Sequence, residues 1–169
     1  DERRTSIHAF GDLYLQYVCD CYCRAEAAQL NWIKHNQSQL RVEQYQGLMD
    51  ALNEGHENVG RPVILPSSYP GSPRAMLQGY QDCMAIVRKF GKPDFFITIT
   101  ANPKWPEILA ALPEGQQPWQ RPDIVTRVFR AKVKNVIKDL TKTGVLGGPE
   151  AYCWVVEFQK RGLPHVHLL

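Results

Sequence analysis

The stretch AYCWVVEFQKRGLPHVHLL, residues 151–169, contains two runs in which bulky apolar side chains alternate with side chains that are smaller or more polar. Alternation with a period of two is typical of strands, and the intervening KRGLP has the glycine and proline of a tight turn. The stretch therefore predicts an antiparallel hairpin. In its second strand His165 and His167 are two residues apart, so both imidazoles lie on one face of the sheet and Val166 on the other.

The length of the hairpin loop decides which side chains meet the histidines. With an odd-numbered loop such as KRGLP, Gln159 lies opposite His165 and Glu157 lies opposite His167, all on one face. An even-numbered loop would place Glu157 and the histidines on opposite faces. The bulky aromatic side chains of the first strand disfavour that register, so we expect the odd-numbered loop.

Two imidazoles and a carboxylate on one face predict a site for a divalent ion. We expect Glu157, His165 and His167 to be its ligands and the catalytic residues, with Gln159 as a reserve ligand. Such a set leaves coordination positions open for a phosphate oxygen and water, as a catalytic site requires. Magnesium or manganese fits it, and zinc fits the donor types equally well.

The segment FFITIT, residues 95–100, is a second alternating run and predicts another strand. We expect it beside the histidine strand, with Thr98 and Thr100 on the polar face. The other face of the sheet is then apolar, for helices to cover. In the first strand of the hairpin that apolar face carries Tyr152, Trp154, Val156 and Phe158.

The segment RPDIVTRVFRAKVKNVIKDLTKTG, residues 121–144, has helical periodicity, begins at Pro122 and ends at Gly144. Its polar face concentrates positive charge, which either contacts a nucleic-acid backbone or is simply solvated. We name this face the basic stripe, and its residues are Arg127, Arg130, Lys134 and Lys138.

Helical patterns also dominate residues 1–92. One helix is predicted to begin at Ser72 as N-cap with Pro73 in the first position, and to end at Gly91. Arg74, near that helix start, either holds a phosphate or is a solvated arginine. The expected fold class is α+β: a helical region, 1–92, followed by the first part of an antiparallel sheet domain flanked by helices, 93–169.

Composition restricts the class of protein. The chain has 169 residues, a net charge of +3 and an odd number of cysteines, five, without a signal-peptide pattern. We therefore expect reduced thiols, and no apolar run is long enough to span a membrane. Cys19, Cys21 and Cys23 lie in a helical pattern. Residues two apart on a helix point away from each other, so we expect these thiols to pack in the core rather than share an ion.

The stretches LPSSYPGSPRAMLQGYQDCMAIVRKFGKPDFFITITANPKWPEI and VVEFQKRGLPHVHLL resemble the Helitron helicase-like amino-terminal region of the Rep transposases of eukaryotic rolling-circle transposons. The resemblance covers roughly residues 40–169 and implies an HUH-type endonuclease domain. FFITIT resembles the first motif of that family, and HVH resembles its histidine-hydrophobe-histidine motif. Glu157 is placed like the acidic metal ligand of related viral replication initiators.

The resemblance also implies a reaction and its setting. In such enzymes a tyrosine attacks a phosphodiester of single-stranded DNA while a metal polarises the phosphate. The nucleophilic tyrosines follow the histidine motif in the family, so we expect this chain to be a fragment, truncated after the HUH motif and inactive alone. It further implies transposon-end DNA as partner, a helicase in the same polypeptide and a nuclear location.

A non-catalytic module that binds single-stranded DNA is the main alternative, and metal dependence distinguishes it. A zinc hydrolase of unrelated type ranks last, because the chain offers no positioned general base or nucleophile. Trp105 either stacks on a base or packs on the core. The candidate DNA-binding residues are Arg74, Thr98, Thr100, Lys104, Trp105, Arg127, Arg130, Lys134, Lys138, Lys160 and Arg161.

Overall fold

The structure is a computed structural model that describes residues 6–40, 63–160 and 162–169. The chain divides into two compact units. One comprises Asp1–Val18 and Cys83–Leu169, and the other comprises Cys19–Asp82. Within the described ranges, no helix combines the length and the apolar character needed to cross a membrane.

The described elements mix helices with a small antiparallel sheet, which confirms the α+β class. The α-helices are α1 (Asp12–His35), α2 (Gln37–Leu40), α3 (Pro73–Phe90), α4 (Pro106–Ala111) and α5 (Pro122–Lys138). The strands are β1 (Ile97–Thr100), β2 (Trp154–Phe158) and β3 (Pro164–Leu168). Short 3-10 turns lie at Ile7–Phe10 and Pro118–Gln120, and a π turn at Asp139–Thr143 extends α5.

The predicted ends of α3 are confirmed. The Ser72 hydroxyl accepts a hydrogen bond from the backbone N–H of Ala75 at 3.1 Å, as an N-cap does, and Pro73 is the first helical residue. The same hydroxyl donates to the Pro66 carbonyl at 2.9 Å. Gly91 follows the last residue of the helix with φ 91°, a conformation that glycine adopts without strain.

The unit Cys19–Asp82 is held together by polar contacts between distant parts of the chain. The Gln37 side-chain amide accepts from the Ile64 N–H at 2.8 Å and donates to the Ile64 carbonyl at 2.9 Å. The Tyr69 hydroxyl donates to the Glu26 carboxylate at 3.0 Å. Local burial and the hydrogen bond to that carboxylate raise the pKa of Tyr69.

Cys19, Cys21 and Cys23 are exposed on α1, so the prediction that they pack in the core is wrong. Their helical spacing was predicted correctly and separates the thiols, and no metal-binding group among the described residues includes them. All five cysteines are free. Periodicity identified the helix but not which of its faces is covered, because that depends on segments distant in sequence.

The sheet has the order β1-β3-β2, and both pairings are antiparallel. The histidine strand β3 therefore lies in the centre, beside the FFITIT strand, as expected. Thr98 pairs with His167 and Thr100 pairs with His165. Paired residues share a face, so both threonines lie on the histidine side of the sheet.

The opposite face of β3 is part of the hydrophobic core. Val166 is fully buried and Leu168 nearly so, and both belong to one cluster with Phe129 and Val133 of α5. The helix begins at Pro122, as predicted. Each buried aliphatic side chain of this kind contributes about 1.5–3 kcal/mol through removal of apolar surface from water.

The expectation that helices cover the apolar face is right for β1 and β3 but wrong for β2. Trp154, Val156 and Phe158 are 45%, 43% and 62% exposed. The buried cluster takes Val166 and Leu168 from β3, and Ile97 and Ile99 of β1 pack against it partly buried. Among the described residues, none of β2 belongs to it.

A buried ion pair fixes the start of α5. The guanidinium of Arg121, which is 5% exposed, donates to both carboxylate oxygens of Asp123 at 2.9 and 2.8 Å. These hydrogen bonds hold the pKa of Asp123 below its ordinary value, although partial burial opposes the shift. The Arg121 guanidinium also lies 5.1 Å from the centre of the Tyr14 ring.

Asp123→Asn is expected to lower the free energy of unfolding by about 1–3 kcal/mol, because it leaves the buried guanidinium without its charged acceptor. The folded-state pKa of Asp123 lies below its unfolded value, so this stabilisation is present above pH ~4 and disappears as pH falls through the folded-state pKa. Urea unfolding of both proteins at pH 7 and pH 3 measures it. The exposed Glu114→Gln is the control, and an equal loss there would contradict the assignment.

Candidate metal centre

The hairpin register differs from the predicted one by two residues. Glu157 pairs with His165, whereas the prediction placed Gln159 there. The turn closes earlier than expected: the Gln159 N–H donates to the Leu163 carbonyl at 3.0 Å, and the Gly162 N–H donates to the Gln159 carbonyl at 2.8 Å. Gly162 has φ 74°, which a three-residue hairpin loop requires at this position.

A shift of two residues preserves the face on which each side chain lies. Glu157 therefore remains on the same face as both histidines, as the odd-numbered loop predicted. Gln159, the expected reserve ligand, is displaced along the strand to a position opposite Leu163. Its placement opposite His165 was wrong.

Glu157, His165 and His167 converge as a candidate metal-binding group, which we call the metal group. One potential ligand atom from each residue can be chosen so that all lie within 4.8 Å of one another. The Nε2 atom of His167 lies 2.7 Å from Oε1 of Glu157. The two imidazoles meet edge to face with their centres 4.6 Å apart. Two nitrogens and a carboxylate at these separations could hold one divalent ion.

The group becomes more exposed from His165 to Glu157. His165 is 9% exposed, whereas the side chains of His167 and Glu157 are 31% and 56% exposed. The histidines therefore lie against the sheet and the carboxylate lies at the solvent side. The group is therefore open to solvent on the side of Glu157.

Thr100 orients His165. Its Oγ1 atom lies 2.7 Å from Nδ1 of His165, across the β1–β3 pair. A hydrogen bond at Nδ1 fixes the plane of the ring and leaves Nε2 for a ligand, as outer-shell partners of metal-binding histidines do. Thr100 was predicted as a DNA contact, and the contact that the structure gives it is with a candidate ligand.

The donor set fits a divalent ion by two criteria. Imidazole and carboxylate together suit manganese and zinc, and the carboxylate with water and phosphate oxygens suits magnesium. In addition, Nδ1 of His167 is buried without a hydrogen-bond partner among the described residues. Since Nδ1 is buried, Nε2, which lies 2.7 Å from the Glu157 carboxylate, is the nitrogen of His167 that is available to an ion.

Two of the predicted DNA-binding lysines follow strand ends at one end of the sheet. Lys104 follows β1 and Lys160 follows β2, and in this antiparallel sheet both positions are at the end that carries Glu157 and His165. Both side chains are exposed.

Trp105 packs against the core and is half-buried, which supports the structural alternative for this residue. Nζ of Lys132 lies 4.9 Å from the centre of its ring and 2.6 Å from the Glu107 carboxylate. The hydrogen bond from Lys132 lowers the pKa of Glu107. Lys132 carried no signal of its own in the sequence, because its role depends on the packing of α4 against α5.

The basic stripe lies on the other side of the sheet from the metal group. Its four residues are exposed, and they project from α5 away from the buried positions Phe129 and Val133. Those buried positions pack on the Val166 face of β3, whereas His165 and His167 lie on the opposite face. This separation agrees with the expectation that helices cover the apolar face, and the structure shows that α5 is one of those helices.

The remaining predicted residues are not part of the metal group. Thr98 is exposed on the histidine face, opposite His167. Arg74 belongs to the unit Cys19–Asp82 and is 7% exposed, so its guanidinium does not contribute to an exposed basic surface. Arg161 lies outside the described residues.

Phe96 is a neighbour of the metal group that sequence reasoning missed. Its ring stacks on the imidazole of His167, with centres 5.4 Å apart and planes 4° from parallel. The signal was present in FFITIT, where Phe96 alternates onto the same face as Thr98 and Thr100. Only the register of β1 against β3 shows which histidine it meets.

A comparison with protein families identifies a family to which the chain belongs. The model of the family described as a Helitron helicase-like domain at the N-terminus matches residues 1–169. The match includes both strands that carry the metal group. No curated protein matches the sequence.

Glu157→Ala is expected to weaken Mn²⁺ binding by about tenfold or more, because even changes outside the ligand shell cost about 10–100-fold in metal affinity. Gln159→Ala is the matched control, since the observed register displaces that side chain along the hairpin. Calorimetric titration of Mn²⁺ into both variants and the unaltered chain measures the difference. Equal affinities for the two variants would remove Glu157 from the ligand set.

Proposed function

Because the chain belongs to the Helitron helicase-like family of transposon proteins, we propose that it carries the metal-binding part of an HUH-type endonuclease. This enzyme nicks and rejoins single-stranded DNA. The observation that carries the proposal is the convergence of Glu157, His165 and His167 on one sheet face. Dependence of the activity on a divalent ion would distinguish this function from that of a module that only binds DNA.

In the proposed reaction the hydroxyl oxygen of a tyrosine attacks the phosphorus of a phosphodiester. A new tyrosine O–P bond forms and the bond to the 3′ oxygen breaks, so the products are a 5′-phosphotyrosine and a free 3′-hydroxyl, which takes up the tyrosine proton. One phosphodiester is exchanged for another, so no nucleoside triphosphate is consumed. The resemblance places the nucleophilic tyrosines after the histidine motif.

A bound divalent ion would supply the positive charge that polarises the scissile phosphate. The side chains of the sheet hold and orient the site around it. His165, His167 and Glu157 would be the ligands, and Thr100 fixes the ring of His165. The exposure of Glu157 leaves the solvent side open to DNA.

The partner in this proposal is single-stranded DNA at transposon ends. Lys104 and Lys160 would hold phosphates that flank the scissile bond, since both lie at the same end of the sheet as Glu157. The basic stripe would contribute sequence-independent affinity from the other side of the sheet. The action of a transposon protein on chromosomal DNA supports a nuclear location.

The decisive test removes both imidazoles in the full-length protein. His165→Ala combined with His167→Ala is expected to abolish Mn²⁺-dependent nicking of a single-stranded oligonucleotide. The affinity for the same oligonucleotide should stay nearly unchanged, because phosphate contacts dominate it. A gel assay for the nicked product, beside fluorescence anisotropy for binding, separates these effects.

The control for this test is His8→Ala combined with His35→Ala, which removes two exposed imidazoles that lie outside the metal group. Nicking should survive in that variant. Full nicking by the double histidine variant would overturn the catalytic proposal and favour the non-catalytic binding module instead.

Neutralising the basic stripe is expected to flatten the salt dependence of DNA binding. For a single strand, the slope of log K against log salt should fall by about 0.7 for every phosphate that a neutralised side chain no longer binds. Fluorescence anisotropy over a series of NaCl concentrations measures this slope. The substitutions are Arg127→Gln, Arg130→Gln, Lys134→Gln and Lys138→Gln.

The matched control removes the same charge elsewhere in the same unit. An unchanged slope in the α5 variant, or an equal change in the control, would assign the basic stripe to solvation. The control substitutions are Arg88→Gln, Lys89→Gln, Lys92→Gln and Lys142→Gln, all at exposed positions.

A further inference from the structure

The two candidate histidine ligands are fixed in different ways. His165 has a hydrogen bond between its Nδ1 atom and the Thr100 hydroxyl. The corresponding Nδ1 atom of His167 is buried and has no hydrogen-bond partner among the described residues. The usual outer-shell contact of a metal-binding histidine is therefore missing at His167 within the described part of the chain.

Phe96 lies where its ring can fix the orientation of the His167 imidazole in place of a hydrogen bond to Nδ1. Thr98 pairs directly with His167, and Phe96 lies two residues before Thr98 on the same side of the sheet. The two rings are almost parallel, at 4°, with their centres 5.4 Å apart. This separation is within the range of offset stacking between aromatic rings.

Burial does not explain the position of Phe96. Its side chain is 64% exposed, so little apolar surface is removed from water there. Phe158, on the opposite face of the sheet, is similarly exposed at 62% and makes no ring contact among the described residues. The distinguishing feature of Phe96 is its contact with a candidate ligand.

We propose that Phe96 is a positioning residue that holds the imidazole plane of His167 by stacking, so that Nε2 stays directed to the metal position beside Glu157. This role rests on the proposed metal-binding function. Each imidazole is then oriented by a different contact. Thr100 orients His165 through a hydrogen bond, and Phe96 orients His167 through its ring face. In the structure, Nε2 of His167 is held 2.7 Å from the Glu157 carboxylate.

The test measures Mn²⁺ affinity by calorimetry on this chain, with the melting temperature recorded for every variant. Phe96→Leu is expected to weaken binding by about tenfold, as the loss of an outer-shell partner does, at an unchanged melting temperature. Phe96→Tyr keeps an aromatic ring and should restore the affinity. Phe158→Leu is the matched control and should bind like the unaltered chain.

The orientation of the ring gives a second readout that does not depend on metal. Loss of the stacked ring should shift the side-chain proton resonances of His167 in NMR spectra of Phe96→Leu, and leave those of His165 nearly unchanged. Equal Mn²⁺ affinity for Phe96→Leu and the unaltered chain, or an equal loss in Phe158→Leu, would overturn the positioning role alone. Absence of Mn²⁺ binding by the unaltered chain would overturn both this role and the proposed function.

Discussion

The alternation of β3 between two environments is the constraint on which the rest of the structure depends. Val166 and Leu168 belong to the hydrophobic core, and successive side chains of a strand must point to opposite faces. His165 and His167 are therefore forced onto the other face. The core under α5 thus determines the direction of the imidazoles. Because β1 and β2 both pair with β3, alternate residues of each strand lie on the same face as these imidazoles.

The sheet face on which each site residue lies could be predicted from sequence. It depends only on whether the number of residues along a strand, or in the loop between two strands, is odd or even. Glu157, Thr98 and Thr100 all lie on the histidine side, as the alternation of their strands indicated. The partner across the hairpin could not be predicted, since it depends on where the turn closes. Gly162 provides the positive φ that closes it two residues earlier than expected, which moved Gln159 away from the histidines.

Burial was harder to predict than periodicity. The helical spacing around Cys19, Cys21 and Cys23 was correct, but their exposure was not, because a helical pattern does not say which segment covers which face. The error at Arg74 is the opposite one. Its position near a helix start predicted an accessible side chain, but the residue is buried. The stacking of Phe96 on His167 likewise required the register of two strands that are distant in sequence.

The position of the basic stripe has a thermodynamic consequence. A packed layer of helix and sheet separates it from Glu157 and the histidines. Perturbations at sites that are well separated and share no partners add in free energy. In the proposed function, substitutions on the outer surface of α5 would therefore change how long DNA stays bound without disturbing the geometry of the metal group.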